Sequence, residues 1–210
     1  MSTVPCPATM AEALEMMLAG ARFAAAADAT AMPAEAQAQC VRTFEHVHAM
    51  CTAARSSILA AFTAAHGYHA DADYSLRAWL INRLRITKGA ATGYASWARR
   101  TITHPRVLQA LAAAEESGMS ESVARTVCGW AGKLPEDCRD AADAILLAAA
   151  RAGADQRDLA GLAGEIYARS RRENSDDGPE DGFDDRRLSS VLACECHVLA
   201  GHIDVAMDVT

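Results

Sequence analysis

Residues 119–172, MSESVARTVCGWAGKLPEDCRDAADAILLAAARAGADQRDLAGLAGEIYARSRR, predict three consecutive helices with their start and stop signals intact. Ser120 caps the first, which runs to about Ala131 and ends at Gly132. Pro135 suits the first turn of the second, where its missing N–H costs nothing. Glu136, Asp137 and Asp140 place negative charge at the positive end of that helix dipole. Gly153 closes it, Asp155 caps the third helix, and Arg169, Arg171 and Arg172 crowd the third helix's C-terminal end.

Outward from this stretch the chain keeps a helical character. Of 210 residues 51% are hydrophobic but only 5% aromatic. Alanine supplies much of the apolar content, and it is the best helix former and a poor strand residue. Thr9-Met10-Ala11-Glu12 is a capping-box pattern before a helix reaching about Ala27. Pro33 then opens a long helix expected to last to about Ala65, with Gly67 as its stop. Along it Cys40, Phe44, Val47, Cys51, Ala54, Ile58, Phe62 and Ala65 recur every three or four residues, one apolar stripe. The stripe is expected to pack inside its own domain, so that Phe44, Ile58 and Phe62 are largely buried; pairing with the same helix of a second protomer is the alternative.

Ser75 is expected to cap a short helix to Arg85 with Leu76, Trp79, Leu80 and Leu84 inward. Thr87 caps another, to about Thr103, with Ala90, Tyr94 and Trp97 on one face. Pro105 interrupts, and residues 107–116 form one more helix before Ser117-Gly118. Residues 173–185 (ENSDDGPEDGFDD) are acidic and poor in apolar side chains, as expected of a solvated linker. Residues 186–210 suggest two short strands about Gly201. The expected organisation is an all-α, multi-helix bundle over residues 1–172 with one long central helix, the linker at 173–185, and a small extended segment at 186–210.

Several residue groups within 43–172 carry a family resemblance. They are Gly67-Tyr68, Ser75-Leu76-Arg77-Ala78-Trp79-Leu80, Thr87-Lys88-Gly89-Ala90-Ala91, His104-Pro105, Ser120-Glu121-Ser122 and Cys128-Gly129-Trp130. The run from Leu134 to Asp143 and the sequence Asp158-Leu159-Ala160-Gly161-Leu162-Ala163 complete the set. This pattern resembles the actinobacterial domain-of-unknown-function family 222 (DUF 222), whose longer members carry a C-terminal HNH endonuclease domain. The resemblance implies a helical domain without an assigned activity. It also implies that longer members continue where this chain stops, so a truncated relative lacking nuclease activity is expected.

The net charge of −7 argues against a protein that coats nucleic acid over its whole surface. Residues 75–106 depart from that balance. They hold Arg77, Arg83, Arg85, Lys88, Arg99, Arg100 and Arg106 with no acid, and the aromatics Trp79, Tyr94 and Trp97. Such a segment suits weak, sequence-independent phosphate contact. Its alternative is two amphipathic helices whose basic faces pair with acids such as Asp71 and Asp73. Residues 107–130 have the outline of a helix-turn-helix, though Glu121 at the start of the second helix would repel phosphate.

Cys194, Cys196, His197 and His202 are zinc-type ligands without zinc-site spacing, and His46 and His48 point to different faces of a helix, so no metal site is predicted. No nucleophile elbow, phosphate-binding glycine loop or His-Glu-x-x-His pattern occurs, so no catalytic residue is predicted. Seven cysteines form an odd set without a disulfide-scaffold spacing, which favours free thiols and a cytoplasmic setting. No cofactor, small-molecule ligand or membrane is expected. The partners expected are nucleic acid and, through the long helix, a second copy.

Overall fold

Local capping chemistry sets the helix starts. The computed structural model describes residues 6–114 and 118–175, and these are all α, with eight α-helices and no strand among them. The helices are α1 (Met10–Ala26), α2 (Ala34–Ala64), α3 (Leu76–Leu84), α4 (Lys88–Thr103), α5 (Pro105–Ala112), α6 (Glu121–Ala131), α7 (Glu136–Arg151) and α8 (Gln156–Ser175). Thr9 accepts from the Glu12 N–H, and the Glu12 carboxylate reaches back to the Ala8 N–H. Ser75, Thr87 and Ser120 each accept from the backbone N–H three residues on, and Asp155 accepts from those of Arg157 and Asp158. Pro105 begins α5 rather than interrupting a chain that restarts at Val107, because its fixed φ and absent N–H suit the first helical position. The acidic linker and the two strands expected after it lie outside the described residues, apart from residues 173–175, which continue α8.

The described residues divide after Thr43 into two units. In the first, α1 has no buried residue, and Asp28 caps a single 3₁₀ turn by accepting from the Thr30 N–H. Gln37 donates its side-chain amide to the carbonyls of Ala29 and Met32, tying the start of α2 to that turn.

The second unit holds the hydrophobic core. One cluster joins Ala49 and Ala53 of α2 to Trp97, Val107, Leu111, Val127, Leu146 and Leu159. Another joins Leu59 to Leu76, Leu80, Ala91 and Ala98, with Phe62, Tyr68, Trp79 and Tyr94 packed against it. Antiparallel neighbours joined by short turns dominate: α3 packs on α4, α6 on α7, and α7 on α8. Among the described residues no helix is long and apolar enough to cross a membrane.

At 31 residues α2 is the longest helix described, but the expected orientation of its stripe is overturned. Phe44 is 57% exposed and Ile58 50% exposed; Val47 and Cys40 are exposed too, and Phe62 is half-buried. The buried face is Ala49, Thr52, Ala53, Ser56 and Leu59, on the far side of the helix. Bulk at that contact comes from the neighbours, Trp97 and Leu80 among them, so α2 contributes the small residues. Ser56 tolerates burial because its hydroxyl returns to the Thr52 carbonyl. The stop of α2 also differs from expectation. His66, not Gly67, takes the left-handed conformation (φ 51°), and a Cβ on Gly67 would collide with the ring of Phe62. Leu84, expected inside, is exposed at the end of α3.

Candidate functional site

Residues 75–106 form α3, α4 and the start of α5, so their seven cations are divided among three helices. Arg83 Nη2 lies 3.3 Å from Asp71 Oδ1 and donates to the Asp71 carbonyl, while its Nε lies 3.7 Å from Asp73. Arg106 grips Asp140 with two bonds, Nε to Oδ1 at 2.7 Å and Nη2 to Oδ2 at 2.9 Å. That contact holds the Asp140 carboxyl below its ordinary range and raises the Arg106 guanidinium. Arg100 lies 4.4 Å over the Trp97 ring. Arg99 donates to the Ser96 hydroxyl. Arg77, Arg85 and Lys88 have no side-chain partner among the described residues. Lys88 and Arg99 stand three turns apart on α4 and share one face, whereas Arg100 turns away toward Trp97.

The helix-turn-helix outline meets a different arrangement. Glu121 Oε1 accepts from Trp97 Nε1 at 2.6 Å and from the Arg125 guanidinium one turn on. Burial pushes the Glu121 carboxyl up, but the Arg125 and Trp97 hydrogen bonds and the Arg125 charge outweigh it and hold the group below its ordinary value. Glu121 and Arg125, which would head a recognition helix, are therefore bonded to each other and to the core tryptophan.

A buried pair escaped the sequence reading. His104 and Asp143 are 5% and 1% exposed, and His104 Nδ1 lies 2.9 Å from Asp143 Oδ2 and 3.2 Å from Oδ1, so that Nδ1–H donates to the carboxylate. A Cβ built on Gly132 would sit 3.8 Å from His104 Nε2, which places the far side of the ring at the turn after α6. The pair thus clasps the α4–α5 junction to α7 and the end of α6. It spans 39 residues of sequence, and neither residue carries a local signal of the contact.

Cys128 is buried, and burial pushes its thiol up to about 12, so it is a neutral core side chain rather than a nucleophile. Among the described residues no three His, Cys, Asp or Glu side chains gather as a metal site. Cys194, Cys196, His197 and His202 lie outside the described residues. No family model, curated protein or solved structure matches the chain.

Proposed function

We propose that this chain is a non-catalytic helical interaction module that pairs with a second copy of itself through α2. The observation that carries this reading is the outward apolar stripe of Phe44, Val47, Cys51, Ala54 and Ile58. These five are uncharged, as are Met50, Ser57 and Ala61 on one flank, while His48 and Arg55 edge the other. In an antiparallel pair about Cys51 the two Arg55 positions fall about 12 Å apart along the axis, so they do not meet head on. The stripe is also self-complementary when two helices run antiparallel about Cys51. Phe44 then faces Ile58, Val47 falls between Ala54 and Arg55, and Cys51 meets its own copy. From Phe44 to Ile58 the contact runs about 21 Å at 1.5 Å per residue. Four turns of one helix fall short of a standard interface, so micromolar rather than nanomolar pairing is expected.

Sedimentation velocity across a concentration series tests this. The wild type should show a monomer–dimer equilibrium, and Phe44→Glu with Ile58→Glu should be monomeric with unchanged helical circular dichroism. Mixing Phe44→Cys with Ile58→Cys, both in a background lacking Cys40 and Cys51, should give an oxidised heterodimer. Equal association by the wild type and the double glutamate variant would sink the reading.

The resemblance to DUF 222 supports a second role, weak contact with nucleic acid as a relative of nuclease-linked proteins. The observation favouring it is the set Arg77, Arg85, Lys88 and Arg99, the exposed cations of the basic segment without an acidic partner among the described residues; Arg100 lacks one too but is half-buried against Trp97. With three or four phosphates neutralised, log affinity for duplex DNA should fall with log salt at a slope of about −3 to −4. Replacing these four by alanine should flatten the slope, whereas replacing Arg83 and Arg106 should not.

A further inference from the structure

A cavity of about 350 Å³ opens between α2, α4 and α6, and charged and polar side chains line it beside two aromatic rings. On α2, His48, Thr52 and Arg55 follow one another on adjacent turns; α4 presents Gly93, Tyr94 and Trp97, and α6 contributes Glu121 and Arg125. Thr52 is 1% exposed, and its hydroxyl oxygen is buried without a hydrogen-bond partner. Its neighbours Ser56, Ser57 and Thr63 all return their hydroxyls to the carbonyl four residues back, which Thr52 does not. The hydroxyl itself is shielded from the cavity, so Thr52 contributes wall rather than a hydrogen bond.

The charges of the cavity do not cancel. Glu121 and Arg125 neutralise each other, and every bond to Glu121 falls on Oε1. Oε2 is left to accept from a ligand. Arg55 stands 3.9 Å over the Tyr94 ring and has no carboxylate partner among the described residues. One guanidinium charge is therefore uncompensated. Gly93 keeps the wall open: a Cβ there would meet nothing within 4 Å, and a larger residue would suit the helix better.

We propose that this cavity binds a small organic carboxylate that also carries a hydrogen-bond donor. The carboxylate meets Arg55, and the donor meets Glu121 Oε2. An arginine prefers a carboxylate because its planar donors match the two oxygens. A neutral ligand would leave the Arg55 charge unanswered, and a dianion would meet Glu121. The site uses none of the residues of the Phe44–Ile58 stripe, although His48 and Arg55 edge it.

The test is isothermal titration with 4-hydroxybenzoate as probe, alongside its neutral counterpart 4-hydroxybenzamide and benzoate, which lacks the donor. The wild type should bind 4-hydroxybenzoate saturably, and benzoate and the amide more weakly. Arg55→Gln should weaken 4-hydroxybenzoate by roughly tenfold or more, the scale of a charge-assisted pair. Gly93→Leu should fill the cavity and abolish binding while the helical circular dichroism and the melting temperature hold or rise, which separates occlusion from misfolding. Thr52→Val, equal in shape, should leave binding unchanged while stability holds or rises, since the hydroxyl it removes is buried without a partner. The proposal is overturned if 4-hydroxybenzoate gives no saturable binding, if the amide binds as well, or if Arg55→Gln and Gly93→Leu bind like the wild type.

Discussion

On α2 the side chains that enter the core are Ala49, Thr52, Ala53, Ser56 and Leu59, whereas on α5, α6 and α7 they include Val107, Leu111, Val127, Leu146 and Leu147. The second group follows the ordinary rule that the largest aliphatic residues of a helix go inside. The first departs from it, because α2 offers two usable faces and buries the smaller one. Ala49 and Ala53 share a cluster with Trp97, Val107 and Leu111, whose volume fills the space a bulkier α2 would occupy. Burial here is decided by how volumes add across a contact, not by which face of one helix is the more apolar. The face left over, with Phe44, Val47 and Ile58, stays exposed.

The contrast can be broken first on the α7 side, where the largest effect is expected. Asp143→Ala leaves His104 buried without its acceptor, and should cost about 3–5 kcal/mol in urea unfolding. Next comes the small face of α2. Ala49 is fully buried, so Ala49→Leu should overpack the contact and destabilise by about 1–3 kcal/mol. The same alanine-to-leucine change at Ala54, which is exposed, should be close to neutral.

A smaller effect is expected at Glu121, which bridges α6 to Trp97 of α4. Its folded carboxyl lies below its ordinary value, so it contributes stability above the unfolded-state value. That contribution is lost as pH falls through the folded value. Glu121→Gln should therefore be less stable than the wild type at neutral pH and approach it in acid, as read from thermal unfolding across a pH series. The smallest effect is expected on the outward stripe. Phe44→Ala at a concentration where the protein is monomeric should change stability by no more than about 0.5 kcal/mol, while removing dimer at high concentration.

Much of the helical order was legible because its signals are local. A cap such as Thr9, Ser75, Thr87 or Ser120 is satisfied by an N–H three residues away, so its sequence neighbourhood contains the whole interaction. Gly153, at φ 93°, ends α7 for an equally local reason. The pairing of Arg83 with Asp71 and Asp73 was likewise within reach, since all three residues fall in one short stretch.

Tertiary structure decided the rest. The sequence by itself determined that α2 is long and carries an apolar stripe, but periodicity states only that residues share a face. Whether that face turns inward depends on the volumes brought up by α4, α5 and α6, which no window along α2 contains. The His104–Asp143 clasp, the Trp97–Glu121 bond and the unpartnered Thr52 hydroxyl belong to the same class. Each depends on groups brought close by the packing of separate helices, and a hydrogen bond is made or missed over tenths of an ångström that sequence spacing cannot specify.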